Sequence, residues 1–369
     1  MNRKRSENLS GQHTELFEYL LKYCSEKKAS DLHLCAGSAP IIRVNSKLLA
    51  VPDTEMLLPP AINSIIEDLV DEKRMNTLKQ NRVVDFSFSR PGLGRFRCNI
   101  YQQRGSYGVA LRTLPFEIPA FSKLGLPESV ESFTQKAKGL ILVTGATGSG
   151  KSTTLASLIN VINSNYAYHI ITIEDPIEYL HRHQKSLVTQ REIGEDVDSF
   201  AIALRSSLRE DPDVIMVGEM RDPETISIAL TAAETGHLVL STLHTVGAAK
   251  AIDRIVDAFP AGQQAQVRTQ LATVLEGIVS QQLIPRLDGQ GMEVASEVLI
   301  SNPAVRNLIR EGKQYQVNSI IQTGQNLGMQ LMEADLARLV QIGHISPEEA
   351  ALRAPDPQLL TQFMNRASL

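Results

Sequence analysis

Residues 139–153, GLILVTGATGSGKST, narrow the possible folds more than any other stretch of the chain. The apolar run 140–143 has the length and composition of a buried strand. Gly145, Ala146, Thr147, Gly148, Ser149 and Gly150 then form a glycine-rich loop, followed by Lys151, Ser152 and Thr153. Beyond them Leu155, Leu158, Ile159 and Ile162 share one face of a helix expected over 154–162. Glycines let successive N–H groups turn inward around an anion without Cβ clashes. The helix N-terminus adds positive partial charge at the same point. Lys151 can reach the outer phosphates of a nucleoside triphosphate, and the Ser152 hydroxyl suits Mg²⁺. The plainer reading, a glycine-rich turn that happens to end in lysine, leaves the flanking strand and helix unexplained.

Such a loop needs a sheet around it. Apolar strands are expected at 140–143, 170–173, 214–217 and 238–240, with helical segments between them. This alternation predicts an α/β unit with a parallel sheet and helices on both faces. Ligands in such sheets sit at the carboxyl ends of the strands, and three motifs fall there. Glu174, Asp175 and Glu178 follow the second strand and form either a solvated acidic turn or a site facing a cation. Glu219 follows the third, with Gly218 leaving room for close backbone approach. A carboxylate at that place can hold Mg²⁺ through water or orient an attacking water. Arg221 either reaches phosphate or pairs with Asp222 or Glu224. His237 and His244 bracket the last strand. An isolated histidine is more often structural; here both are candidates for sensing the terminal phosphate or for a polar link to a neighbouring domain. A zinc ion shared between them does not suit the strand spacing.

With 369 residues the chain has room for two or three domains. Residues 1–13 are polar and expected to be disordered. Residues 14–113 mix helical and alternating patterns and predict an α+β domain. In it Arg95 and Arg97 share a strand face, with Arg112 on a nearby strand. They are either a solvated charged face or arginine fingers that reach a nucleotide. The proline-bearing stretch 114–121 is expected to be a linker. An ATPase core should follow over 122–285, a helical region over 286–353 and a tail over 354–369. A formal net charge of −4 and 5% aromatic residues argue against nucleic acid as a partner. Cys24, Cys35 and Cys98 form no C-x-x-C pair and are expected to be reduced thiols. The basic start lacks a following apolar region, and no run reaches the ~18 apolar residues of a spanning helix.

Laid out in this way, the chain resembles the type IV pilus and type II secretion ATPase superfamily, and within it the pilus retraction ATPases of twitching motility. Residues 145–152 match its Walker A box, and 173–178 look like its Asp box. Residues 217–222 are similar to its Walker B box, and 237–244 look like its His box. AVRNLIRE at 304–311 resembles the retraction-specific motif, with Val305 where the family usually has Ile. The resemblance implies a PAS-like N-terminal domain, a RecA-like C-terminal domain and a homohexameric ring binding ATP and Mg²⁺ between subunits. It implies that Glu219 is the catalytic carboxylate, that Glu178 is a second acidic residue at the phosphates, and that Arg95, Arg97 and Arg112 approach them. It also implies a cytoplasmic motor at the pilus base, held to the membrane by an inner-membrane platform protein and working with a second retraction ATPase. No tetracysteine zinc element or extra N-terminal domain is expected, which favours retraction over pilus extension or type II secretion. A nucleotide-gated adaptor ring with negligible turnover is the alternative from another class; the two intact acidic boxes argue against it. The resemblance assigns the tail no role.

Overall fold

The computed structural model describes the backbone except at residues 1, 45, 46, 115, 116 and 367–369, and leaves out the side chains of 2–12 and 366. Two compact units result, Met1–Glu117 and Ile118–Leu369. The expected linker at 114–121 spans this boundary, and its residues 115 and 116 lie outside the described set. The disorder expected over 1–13 falls, His13 apart, on side chains outside that set; the backbone there belongs to helix α1 (Asn2–Glu26).

The first unit is an antiparallel sheet covered by helices. Its strands are β1 (Asp31–Cys35), β2 (Ile41–Val44), β3 (Lys47–Ala50), β4 (Val83–Arg90), β5 (Gly94–Gln103) and β6 (Ser106–Leu114), in the order β3-β2-β1-β6-β5-β4. Alternation decides which face is buried. Phe96, Cys98 and Ile100 of β5 face a core shared with Phe17, Leu20 and Leu21 of α1 and with Ile62, Ile65 and Ile66 of α2 (Pro59–Leu69). A third helix, α3 (Glu72–Asn81), is capped by the Asp71 side chain. Burial pushes the Cys24 thiol up to about 12, so it behaves as an inert apolar group. Arg95 and Arg97 lie on the other face of β5, and Arg97 pairs directly across with Arg112 of β6. Like charges placed opposite repel. Asp31 offsets this: it is the cross-strand partner of Arg112 and accepts from its Nε at 3.1 Å.

The second unit carries a seven-stranded sheet in the order β13-β12-β7-β11-β10-β8-β9. Four strands fall where the sequence predicts them: β7 (Gly139–Thr144), β8 (His169–Glu174), β10 (Val214–Val217) and β11 (Leu238–Leu243). They are parallel and wholly or almost wholly buried, as their unbroken apolar runs require. Short α4 (Glu128–Glu131) precedes them. Helices α5 (Lys151–Asn165), α6 (Phe200–Ser207), α7 (Pro223–Thr235), α8 (Ala248–Asp257) and α9 (Ala261–Val274) connect and cover the strands. Asp222 caps α7 by accepting from Thr225 N–H, with Pro223 at the first helical position.

Three strands of this sheet were not expected. They are β9 (Leu187–Glu192), β12 (Leu275–Pro285) and β13 (Met292–Ile300). The region 286–353, predicted helical, therefore opens with a strand. In β13, Val294–Leu299 are buried on both faces, so the alternation that marks a half-exposed strand is missing. β12 joins β7 in parallel and β13 in antiparallel. A bulge in β12 leaves Glu276 between the paired residues Leu275 and Gly277, and bulges re-aim side chains. Glu276 accepts from Lys136 Nζ and from Arg306 Nη2, both at 2.8 Å.

Arg306 lies on α10 (Pro303–Arg310), the helix of the AVRNLIRE motif, which Asn302 caps. Val305 and Ile309 of the same helix are fully buried. After it come α11 (Val317–Thr323), α12 (Met332–Gln341) and α13 (Pro347–Arg353), the last capped by Ser346. Just before α12, Gln330 bridges Val298 through mutual backbone hydrogen bonds. The tail forms a last helix, α14 (Pro357–Arg366), whose Leu360 is buried with Leu336 and Leu339 of α12. No helix among the described residues is long and apolar enough to cross a membrane. Leu360→Ala should cost about 2–4 kcal/mol of stability through the cavity it leaves. Urea unfolding of the purified protein checks this; an unchanged midpoint would mean that the tail is not docked.

Candidate nucleotide-binding site

The loop after β7 closes over the carboxyl ends of β8, β10 and β11. Its Gly145, Gly148 and Gly150 have φ of +145°, +80° and +87°. At Gly145 there is also no room for a side chain: a Cβ would lie 2.4 Å from the Gln281 carbonyl oxygen. The loop borders a cleft of about 510 Å³, within the range of small-molecule sites. Thr147, Gly148, Gly150, Lys151, Ser152 and Thr153 line it. Ala146 lies in the same loop, and Ser149 is buried beneath it.

Lys151 opens α5 and is 8% exposed. Its ammonium donates to the carbonyls of Gly145 at 2.9 Å and Ala146 at 3.0 Å. Burial lowers its pKa, opposed by the nearby charges of Glu219 and Glu178. Glu219 stands at the end of β10. Its Oε2 is 2.7 Å from Arg221 Nη2 and 3.3 Å from His244 Nε2. Burial alone would raise the Glu219 carboxyl, but the hydrogen bond from Arg221 and the charges of His244 and Arg221 hold it below its ordinary value. Arg221 thus pairs with Glu219. Neither partner considered from the sequence takes it: Asp222 caps α7, and Glu224 pairs with Arg205 at 2.6 Å.

The three carboxylates at the end of β8 and just beyond it divide their roles. Asp175 and Glu178 line the cleft, Asp175 the more exposed of the two. Glu174 is buried, and its Oε1 accepts from Thr172 Oγ1 at 2.7 Å and Gln190 Nε2 at 3.1 Å. Burial pushes its pKa up to about 7. The mutual repulsion expected of this acidic cluster is therefore relieved partly by desolvation.

His244 belongs to the cleft, but His237 does not. His237 precedes β11, with its ring against the Ala232 carbonyl at 2.9 Å, and it lines a separate pocket beside Lys136, Tyr168 and Asp213. The six residues of β11 separate the two histidines by roughly 20 Å at ~3.3 Å per residue. His237 therefore does not reach the phosphate loop of this chain, and the two rings cannot share a metal. Arg95, Arg97 and Arg112 lie in the first unit, on one face of its sheet.

Several cleft residues escaped the sequence reading. Tyr179, His181, Phe200 and Leu283 line it, and the Tyr179 hydroxyl lies 3.0 Å from Thr153 Oγ1. Burial depresses the His181 pKa to about 4, so a neutral ring faces the cleft. No local pattern marks any of them, because the stretch after β8, the start of α6 and strand β12, distant from one another along the chain, bring them together.

The profile of the family described as type II/IV secretion system protein matches residues 106–342. This chain belongs to that family. Among its relatives is the type IV pilus retraction ATPase PilT of Pseudomonas aeruginosa, 47% identical over 92% of this chain and 98% of its own length. A twitching motility protein of Neisseria gonorrhoeae is 49% identical over 88% of this chain and 87% of its own. The crystal structure of a pilus retraction motor PilT with bound ADP superposes with a TM-score of 0.88 at 51% identity, over 93% of this chain and 98% of that one. In this chain a PAS-like α+β domain precedes a RecA-like ATPase domain with a helical extension.

Because the folded-state pKa of Glu174 is raised, its contribution to stability is full below the ordinary carboxyl range and is lost as pH rises through about 7. Gln at this position keeps the accepting oxygen without the ionisation. Glu174→Gln should therefore melt with wild-type protein at pH 4 and above it at pH 8, measured by nucleotide-free thermal unfolding. An equal difference at both values would refute the assignment.

Proposed function

We propose that this chain is a motor ATPase that hydrolyses ATP to drive type IV pilus retraction, and so twitching motility. One observation carries the reading. A buried lysine, a glycine-rich phosphate loop and a carboxylate held ionised by Arg221 and His244 converge on one cleft, in a chain that matches retraction ATPases over nearly its whole length.

In this reading the loop from Gly145 to Gly150, whose Thr147, Gly148 and Gly150 line the cleft, and the N-terminus of α5 receive the β- and γ-phosphates. Lys151 exchanges its two carbonyl partners for phosphate oxygens, and the cost of its burial is offset by the new negative charge. The residues suit Mg²⁺: Ser152 offers a hydroxyl beside the loop and Glu219 a carboxylate across from it. Mg²⁺ bound there would neutralise charge on the phosphates. Glu219, kept ionised, orients the attacking water and accepts its proton, while Arg221 and His244 fix its Oε2. Glu178 adds a second carboxylate at the phosphates. Arg95, Arg97 and Arg112 act as arginine fingers that stabilise charge on the transferring phosphoryl group. Opening and closing of the 114–121 linker with nucleotide state would turn hydrolysis into domain motion.

The protein works as a homohexamer in the cytoplasm, at the inner face of the inner membrane. Its partners are a platform protein of the pilus base and a second retraction ATPase. Glu219→Gln should lower ATP turnover by about 10²–10⁴-fold while ATP still binds. Lys151→Ala should lose the binding itself. A null strain should carry excess pili and lose surface motility, with rescue by wild type and not by Glu219→Gln. Bald cells in the null would overturn retraction in favour of extension.

A further inference from the structure

The phosphate loop is held from the far side by one residue, Gln281, whose role neither motif nor resemblance supplied. Gln281 sits on β12 beside β7, where the neighbouring residue Ser280 pairs with Thr144. It is 1% exposed. Its side-chain nitrogen donates to the Ser149 carbonyl at 2.7 Å, and its side-chain oxygen accepts from Thr154 Oγ1 at 3.0 Å. A carbonyl can only accept, so this orientation of the amide is the one that satisfies both partners. Its backbone carbonyl occupies the space a Cβ at Gly145 would need, and its Nε2 lies 3.0 Å from where a Cβ at Gly150 would stand. One residue therefore touches the first glycine of the loop, the last glycine and the first turn of α5.

An anion cradle requires its N–H groups to converge inward, so a loop carbonyl must point away and find a donor elsewhere. Gln281 is that donor for Ser149. The same strand ties the loop to the rest of the site. Ser280 Oγ accepts from Gly247 N–H at 2.8 Å, and Glu297 of β13 accepts from Ala248 N–H at 2.7 Å. The start of α8, four residues beyond His244, is thus anchored to the ribbon that braces the loop.

We propose that Gln281 is a positioning residue for nucleotide binding: through Ser149 and Thr154 it holds the phosphate loop open in the shape that receives the β- and γ-phosphates. The inference rests on the reading of 145–152 as a phosphate site. Gln281→Met keeps the volume and removes both hydrogen bonds. The affinity of the assembled protein for fluorescent ADP, and KM for ATP, should weaken by about tenfold, the usual consequence of an orphaned buried carbonyl. Turnover at saturating ATP should fall much less. Unchanged affinity and KM would overturn the proposal, as would a fall in turnover alone.

Gln281→Glu covers the case in which Gln281→Met fails to fold. A protonated carboxyl there donates to Ser149 and accepts from Thr154 as the amide does, whereas the carboxylate has no proton to donate and sets an anion against the negative end of the carbonyl dipole. KM relative to wild type should therefore be near unity at pH 5.5 and rise about tenfold at pH 8.5. A ratio that stayed at unity after the introduced carboxyl had ionised, its ionisation read from the pH dependence of the variant's thermal stability, would overturn the proposal, since packing alone does not titrate. If wild type itself bound no fluorescent ADP, the phosphate-site reading would fall. If wild type bound and Lys151→Ala did not, while both Gln281 variants matched wild type, only this inference would fall.

Discussion

Burying a phosphate-binding loop against a sheet is the constraint on which the rest of this structure depends. The loop must offer N–H groups to an anion, so its carbonyls turn elsewhere, and a buried carbonyl without a donor is costly. Lys151 satisfies those of Gly145 and Ala146, and Gln281 satisfies that of Ser149. β12 presses close enough that its backbone excludes a side chain at Gly145. The glycines therefore answer to two demands at once, positive φ and the absence of space.

Charge in the cleft follows a similar economy. The Lys151 ammonium is desolvated, Glu174 is lifted towards neutrality, and His181 is held neutral. Glu219 alone of these is driven towards its charged form, and only because Arg221 and His244 meet it. A cleft with one enforced anion opposite one buried cation is suited to a ligand that brings both negative charge and a counter-ion. The C-terminal region joins this arrangement through the β12–β13 ribbon rather than standing apart from it. Glu276 gathers Lys136 and Arg306 at one end of β12, and Gln281 braces the loop further along the same strand.

Much of this was legible from local pattern. The phosphate loop and the four buried parallel strands each depend on residues within a few positions of one another. Other features depended on distant neighbours and were misread. Val294–Leu299 is buried on both faces and carries no alternation, so β13 passed for part of a helical region. The tail looked like a tail until Leu360 met α12. His237 and His244 bracket one strand, which carries its two ends apart, so only His244 lines the cleft.

The sequence by itself determined that this chain would place a lysine, a hydroxyl and a glycine-rich loop between a buried strand and a helix, because backbone conformation and hydrophobic period are local properties. It also determined an acidic residue after each of two apolar strands. Only the tertiary structure decided which of those acids would be charged, which arginine would serve Glu219, and that Gln281 would underpin the loop. Those outcomes depend on desolvation and on hydrogen-bond partners up to 132 positions away along the chain, and neither is written in any one stretch of residues.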